Sequence, residues 1–330
     1  MNERALNMSV QTLSGVRVEA VYACLPKHIE DNFNRCLAVY GSEERARSVV
    51  TATGIKTRRI AQEGVTSLDL CVQAAEGLLE DVKCDKEDIG AIISVTFTPA
   101  RNMPCNACQA QKRLGLSNDV IAFDIGLACS GYAYGLYVSG MLAKSTRRKV
   151  LLLDGDVQSP VVRLDDEATV PVLADAGTAT LVEPCDDART WSFSFMSMGE
   201  GGEALTLPFG GKITMDGFAV FKFVAMDVSK FIKTFIGESG VSSDDVDWFV
   251  PHQANVYMIK QLAKTLKMPM EKLCISGDVV GNSASATVPV TIVWTQARGR
   301  VLLSGFGGGL SASVAMIEID SNAKLKILEA

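Results

Sequence analysis

The stretch "EDIGAIIS" (87–94) has a counterpart in "DDVDWFVP" (244–251), since each is an acidic turn followed by an apolar run typical of a buried strand. Later in each half, "RRKVLLLDGD" (147–156) is similar to "ARGRVLLSGFG" (297–307). The paired segments are separated by nearly the same number of residues in both cases. Such internal repetition predicts a duplicated fold.

Strands alternate with helical patterns along the whole chain, which predicts an α/β fold in layers. The repetition divides the chain into two similar halves, 1–184 and 185–330, which meet in the linker-like stretch "VEPCDDART" (182–190). We expect the functional pocket where the halves meet, because interfaces between such units are favoured positions for ligand sites.

The bulk composition is that of a globular protein: 330 residues, 48% hydrophobic and 21% charged. A net charge of −6 and the lack of a long basic run argue against nucleic-acid binding. The charged N-terminus does not have the pattern of a signal peptide, and no uncharged apolar run is long enough to span a bilayer. Nine scattered cysteines predict a cytoplasmic protein with reduced thiols rather than a disulfide framework.

One cysteine stands out in "FDIGLACSGY" (123–132). Residues 120–125 read as a buried strand, and the apolar spacing after Cys129 indicates a helix. Cys129 therefore falls at a strand-to-helix junction, where unpaired N–H groups and the helix dipole favour a thiolate. The position suits a nucleophile, although a lone cysteine at such a position is more often an inert buried residue.

The second half carries three further motifs, each ambiguous alone. In "VPHQAN" (250–255), His252 directly follows a strand and is either a functional or a structural histidine. Asn282 opens "GNSASATVPV" (281–290), where an asparagine is usually turn chemistry. The glycines of "SGFGGGLSAS" (304–313) suit a backbone that approaches a ligand closely and directs N–H groups at it.

A metal site is not expected from the sequence. The chain has two histidines, and "CNAC" (Cys105 and Cys108) has the spacing of half a zinc site without a second CxxC. We interpret it as the start of a helix after Pro104.

Taken in this order, the cysteine, HQAN, GNS and GFGGG motifs resemble β-ketoacyl-acyl carrier protein synthase III, of the thiolase-like superfamily. The resemblance extends from about Val16 to Ile319 and implies a thiolase-like duplicated fold in α-β-α-β-α layers. The other matching stretches are "TGIKTRRIA" (53–61), "PCNACQAQKRLGL" (104–116), "AFDIGLACSGYAYGL" (122–136) and "FAVFKFVAMDV" (218–228).

The resemblance implies a decarboxylating condensation. Cys129 would accept the acyl group from a thioester, and His252 and Asn282 would complete the triad by hydrogen bonding the enolate formed when a malonyl thioester loses CO2. Backbone N–H groups of Cys129 and Gly308 would form the oxyanion hole. Phe306 would keep the malonyl carboxylate in apolar surroundings. The product would be a 3-oxoacyl thioester, and no metal or redox cofactor is implied.

This sequence departs from the family where acyl-coenzyme A binds. Ser48 and Ala52 replace a tryptophan and an arginine, and Glu167 replaces a further arginine, so that a coenzyme A phosphate would be repelled rather than bound. We therefore expect acyl-coenzyme A to be a poor donor and the acyl group to arrive on an acyl carrier protein or another carrier.

The resemblance also implies a homodimer and suggests which residues contact the substrate. The expected carrier or pantetheine contacts are Lys222, Asn255 and Tyr257, of which Tyr257 replaces a basic residue. Met103 replaces a phenylalanine that enters the partner's pocket in the family. The expected acyl-pocket positions are Met103, Val172, Leu173, Met215 and Phe221.

Three functions are compatible with these residues. The first is condensation in a specialised acyl, lipid or secondary-metabolite pathway. The second is transfer of the Cys129-bound acyl group to a hydroxyl or amine, for which Asn282 is less necessary. The third is a supporting subunit of a heterodimer, which should have lost a triad member. The intact triad favours condensation.

Overall fold

The computed structural model describes residues 9–186 and 189–330, so Asp187 and Ala188 of the predicted linker lie outside the described residues. The strands are β1 (Gln11–Ser14), β2 (Val16–Leu25), β3 (Ile29–Asp31), β4 (Thr57–Arg59), β5 (Ile89–Val95), β6 (Ile121–Ile125), β7 (Lys149–Asp156), β8 (Ala176–Pro184), β9 (Thr190–Ser197), β10 (Leu205–Thr206), β11 (Thr214–Met215), β12 (Trp248–Pro251), β13 (Gly299–Gly307) and β14 (Ser311–Glu329).

The helices are α1 (Asn32–Tyr40), α2 (Glu43–Thr53), α3 (Ser67–Val82), α4 (Asn106–Leu114), α5 (Gly131–Thr146), α6 (Gly217–Phe223), α7 (Ser229–Glu238), α8 (Val256–Thr265), α9 (Gly277–Val280) and α10 (Thr287–Thr295). A π-helical turn joins α6 to α7. Within the described ranges, no helix combines the length and the apolar character that crossing a bilayer requires.

The internal repeat seen in the sequence is a repeat of strand topology. In the first half, β5 pairs with β7 in parallel, and β7, β8 and β2 then follow one another in antiparallel pairs. In the second half, β12 pairs with β13 in parallel, and β13, β14 and β9 follow in antiparallel pairs. The same order and directions occur twice, which confirms the duplicated α/β fold. The boundary after residue 184 stays a prediction; it falls between β8 and β9.

Strand β14 joins the two halves into one sheet. Its first part pairs with β13 and β9, and after a register shift between Ile319 and Lys324 its second part pairs with β2. At the other end, β6 pairs with β5 alone among the described strands. The interpretation of residues 120–125 as a buried strand is therefore wrong in one respect: β6 is an edge strand and is partly exposed.

Helices and sheet alternate in five layers. Helices α3 and α4 pack on the outer face of the first half of the sheet, and the π turn, α7 and α8 pack on the outer face of the second half. Helices α5 and α10 lie between the halves and share one core with both. Residues 287–293 of α10 are all buried, as expected for a helix enclosed on every side. The middle layer brings the starts of α5 and α10 together.

Candidate active site

The predicted nucleophile and its partners meet in one cavity of about 520 Å³ between the two halves. Cys129 precedes α5, His252 follows β12, and Asn282 lies just before α10. All three line the cavity, as do Phe306 near the end of β13 and Gly308 in the loop that follows; we call the glycine-rich segment 305–309 the glycine loop. The middle layer thus brings Cys129 together with two residues that lie more than 100 positions further along the chain.

Cys129 is held against the glycine loop, and its side chain is nearly buried at 8% exposure. A Cβ at Gly305 would lie 2.6 Å from the Cys129 carbonyl oxygen, and a Cβ at Gly307 would lie 3.1 Å from the Cys129 Sγ. A Cβ at Gly305 would clash with the backbone, and a Cβ at Gly307 would require the Cys129 side chain to shift by a few tenths of an ångström. The loop backbone therefore lies directly beside the nucleophile.

Burial governs the acidity of Cys129. The pKa of the thiol is raised to about 12, chiefly by burial and with a smaller contribution from the nearby carboxyl groups of Asp156 and Asp154. A hydrogen bond from a backbone N–H lowers the pKa of the thiol, but by less than burial raises it. This is the reverse of the thiolate expected from the helix terminus, because α5 begins two residues later, at Gly131, and the charged form is desolvated. The resting side chain is a thiol.

His252 is held at its backbone by Ser304 and at its ring by Thr287. Its backbone N–H donates to the Ser304 carbonyl (2.7 Å), and its Nδ1 lies 2.7 Å from the Thr287 hydroxyl oxygen. Phe306 contacts the imidazole edge-on, with ring centroids 5.2 Å apart. Burial lowers the pKa of His252 to about 3, so the ring is neutral. A neutral imidazole has one proton, and the Thr287 hydroxyl that contacts Nδ1 also donates to the Ala284 carbonyl at 2.9 Å.

Asn282 is fixed at the backbone and at the side chain. Its N–H donates to the Val172 carbonyl (3.0 Å), and its carbonyl accepts from the Ala174 N–H (2.8 Å). The side-chain oxygen Oδ1 accepts from the Ala284 N–H at 2.9 Å. Because a backbone donor occupies the oxygen, the amide NH2 is the group left for the cavity.

Two buried carboxyl groups lie behind the site, and sequence reasoning missed both. Asp156 accepts hydrogen bonds from Thr96, Thr98 and Ser285, and burial still raises its pKa to about 6. Neither carboxyl oxygen of Asp154 has a hydrogen-bond partner within the part of the chain that the structure describes, and burial raises the pKa of this group well above the ordinary value. The signal was present in "LLLDGD", where two aspartates end a strand buried on both faces.

The cavity wall is mainly apolar. Of the expected pocket and carrier residues, Val172, Leu173, Met215 and Asn255 line it, and Asn255 also caps α8 by accepting from the Met258 N–H. No aspartate, glutamate, lysine or arginine lines it among the described residues. The other wall residues, which the sequence did not indicate, include Phe97, Gln158, Leu205, Leu207 and Ile213.

Four expected contact residues lie outside the cavity lining. Met103 is 84% exposed on the loop before α4, and Phe221 is exposed on α6. Lys222, next to it, and Tyr257, in the first turn of α8, are also exposed. These four positions therefore do not belong to the lining of the cavity that contains Cys129 in their own chain.

The coenzyme A positions singled out in the sequence lie beside the cavity. Ser48 and Ala52 are exposed on α2, whose last residue, Thr53, lines the cavity. Glu167 accepts from the Arg45 guanidinium (2.8 Å), and its carbonyl accepts from the Tyr40 hydroxyl (2.7 Å). Glu167 thus forms an ion pair with Arg45 at the surface, where both side chains are more than half exposed.

Comparisons with known proteins agree with this geometry. Two family profiles match, "3-Oxoacyl-[acyl-carrier-protein (ACP)] synthase III" over residues 123–199 and "3-Oxoacyl-[acyl-carrier-protein (ACP)] synthase III C terminal" over residues 236–319. Beta-ketoacyl-[acyl-carrier-protein] synthase III of Clostridioides difficile is 31% identical over 316 residues, covering 89% of this chain and 95% of the relative. Synthase III 1 of Vibrio vulnificus is 34% identical over 307 residues, covering 89% and 96%.

Solved structures are similar over nearly the whole chain. A 3-oxoacyl-(acyl-carrier protein) synthase from Burkholderia xenovorans superposes with a TM-score of 0.93 at 28% identity, covering 98% of this chain and 99% of that one. The priming beta-ketosynthase of the R1128 polyketide pathway has a TM-score of 0.85 at 26% identity, covering 93% and 97%. On sequence and structure together, this chain belongs to the 3-oxoacyl-acyl carrier protein synthase III family of thiolase-fold condensing enzymes.

Proposed function

We propose that the enzyme transfers an acyl group from a carrier thioester to Cys129 and then condenses it with a malonyl thioester, releasing CO2 and a 3-oxoacyl product. One observation carries the proposal: Cys129, His252 and Asn282 face a single cavity whose described lining has no charged side chain. A covalent acceptor and two neutral polar side chains in apolar surroundings suit enolate chemistry.

In the first half-reaction, the Cys129 sulfur attacks the thioester carbonyl carbon. The carbon–sulfur bond to the carrier breaks, and the thiol proton ends on the departing carrier thiol. Backbone N–H groups of Cys129 and Gly308 are the proposed donors to the oxyanion. Since burial raises the pKa of Cys129 to about 12, the thiol must lose its proton during the attack.

In the second half-reaction, the malonyl carboxylate enters the cavity, whose described lining residues include no lysine or arginine. Loss of neutral CO2 relieves the desolvated charge and moves an electron pair onto the thioester oxygen. Asn282 donates to that oxygen through its NH2. The one proton of the Thr287 hydroxyl can go to the Ala284 carbonyl (2.9 Å) or to His252 Nδ1 (2.7 Å). When it goes to Nδ1, the ring proton is on Nε2, which is the proposed second donor. The enolate carbon then attacks the acyl carbonyl, and Cys129 departs as a thiolate that takes up one proton.

We propose an acyl carrier protein, rather than coenzyme A, as the source of both groups. The relatives are named for acyl-carrier-protein substrates, and Glu167 engages Arg45 beside the cavity. A homodimer is part of the same proposal, since the partly exposed edge strand β6 offers backbone groups to a second copy.

Intact-protein mass spectrometry tests the proposal. Wild type and Cys129→Ala are incubated with acyl-carrier protein or acyl-coenzyme A, and malonyl-carrier protein is then added. We expect an adduct on the wild type from carrier donors, which malonyl-carrier protein discharges as a 3-oxoacyl product.

Other outcomes assign other functions. Efficient labelling by acetyl-coenzyme A would refute the choice of carrier. An adduct that resists malonyl-carrier protein but is discharged by a hydroxyl or amine would identify an acyltransferase. The absence of any adduct would favour a supporting subunit.

A further inference from the structure

Gln158 lines the cavity but has no part in the steps above. It follows β7 and is 2% exposed. Its side-chain NH2 donates to the Ala174 carbonyl (2.7 Å) and to the Asn282 carbonyl (2.8 Å). Both N–H bonds of one amide are therefore used on backbone oxygens of two other segments.

The orientation of this amide is unambiguous. A flipped side chain would place its oxygen against two carbonyl oxygens, which cannot donate. The backbone of Gln158 is itself anchored, because its N–H donates to the buried Asp175 carboxylate at 2.7 Å. Asp175 accepts in addition from the Ser159 hydroxyl (2.7 Å) and from the Ala61 N–H (2.8 Å). The amide thus projects from a fixed point.

Gln158 ties the first half of the fold to the catalytic asparagine of the second half. Asn282 forms a parallel bridge with Leu173, and its carbonyl accepts from two donors, the Ala174 N–H and the Gln158 amide. Asn282 is linked to the segment from Val172 to Ala174 by hydrogen bonds at its N–H and its carbonyl. The Gln158 side chain binds both this segment and Asn282, and so sets their separation.

We propose that Gln158 is a positioning residue for Asn282: it holds the Asn282 backbone so that the side-chain NH2 meets the thioester oxygen of the malonyl unit. The inference rests on the proposed function, since that reaction gives Asn282 its task. It predicts that Gln158 affects decarboxylation, which uses Asn282, and spares acylation of Cys129, which does not.

The test is a double-mutant cycle on CO2 release from malonyl-carrier protein. The variants are Gln158→Met, which keeps the side-chain length without donors, Asn282→Ala, and the two combined. Gln111→Met is the matched control, because the Gln111 amide also donates to two carbonyls, Leu116 (2.7 Å) and Ser117 (3.2 Å), at the far end of α4. Acylation of Cys129 is measured in parallel by mass spectrometry.

We expect Asn282→Ala to lower CO2 release by about 10²–10³-fold, as for the loss of one oxyanion donor. Gln158→Met should lower it about tenfold in the wild type and no more than about twofold in the Asn282→Ala background, because residues that act through one another are not additive. Acylation should stay within about twofold of wild type in both, and Gln111→Met should change neither rate.

Failure of this inference differs from failure of the proposed function. If the wild type releases no CO2, or Asn282→Ala releases it at the wild-type rate, the proposed function is wrong. If Asn282→Ala is slow but Gln158→Met is normal, or lowers both backgrounds equally, Gln158 does not position Asn282. Gln158→Glu replaces the amide NH2 by an oxygen in a side chain of the same shape, and it should release CO2 no faster than Gln158→Met. This variant takes the place of Gln158→Met in the test if Gln158→Met does not fold.

Discussion

Asp154 is a carboxyl group whose burial should make the protein less stable as the pH rises. It lies at the end of β7 with 0% exposure, and neither of its oxygens has a hydrogen-bond partner among the described residues. Burial therefore raises its pKa well above the ordinary 3.8. We predict that Asp154→Asn removes a pH-dependent loss of stability.

The sign and size follow from the proton balance. Below the ordinary pKa, Asp154 is protonated in both the folded and the unfolded chain, and there is no penalty. As the pH rises, the unfolded chain ionises while the folded carboxyl stays neutral, which costs about 1.4 kcal/mol per pH unit until the folded pKa is passed. The Asp154→Asn variant has no such slope. As the pH rises from 5 to 7, it should therefore gain stability relative to wild type, and about 1.4 kcal/mol per pH unit is the upper limit of that gain.

Urea unfolding at pH 5, 6 and 7, followed by tryptophan fluorescence, measures this difference. The titration of Asp156, whose pKa is raised to about 6, is present in both proteins and cancels to first order. Asp156→Asn is the contrasting variant: it disturbs the acceptor of hydrogen bonds from Thr96, Thr98 and Ser285, and should destabilise the protein at every pH. A free-energy difference between Asp154→Asn and wild type that is the same at pH 5 and pH 7 would refute the reasoning.

Three further predictions concern the site. Alkylation of Cys129 by iodoacetamide should accelerate about tenfold per pH unit between pH 7 and 9, because the thiol pKa is raised to about 12; a plateau below pH 8 would contradict it. Gly305→Ala should lower the melting temperature and abolish acylation, because its Cβ would lie 2.6 Å from the Cys129 carbonyl, whereas Gly237→Ala, with nothing within 4 Å, should be neutral or stabilising. Thr287→Val should slow CO2 release about tenfold by removing the hydroxyl at His252 Nδ1, and Thr287→Ser should retain the rate; equal rates for the two variants would exclude a role for the hydroxyl.

The fold class was readable from the sequence because its determinants are local. The repeated acidic turns and apolar runs around residues 89 and 246 became β5 and β12 in equivalent positions of the two halves. The same reason made it possible to select Cys129, His252 and Asn282 from the sequence. Each lies next to a strand end or a helix start that can be predicted from the neighbouring residues.

Only the tertiary structure decided the pKa values of the site and the residues that line its cavity. Near a helix start, Cys129 was expected to be a thiolate, but desolvation by residues from both halves raises its pKa instead. Asp154, Gln158 and Phe97 acquire their surroundings only when distant segments pack together, while Met103 is left exposed by the same packing. The physical reason is that periodicity and capping act over a few neighbouring residues. Burial, by contrast, depends on which remote segments come together. The same is true of the free-energy cost of burying a charge or an unpaired polar group.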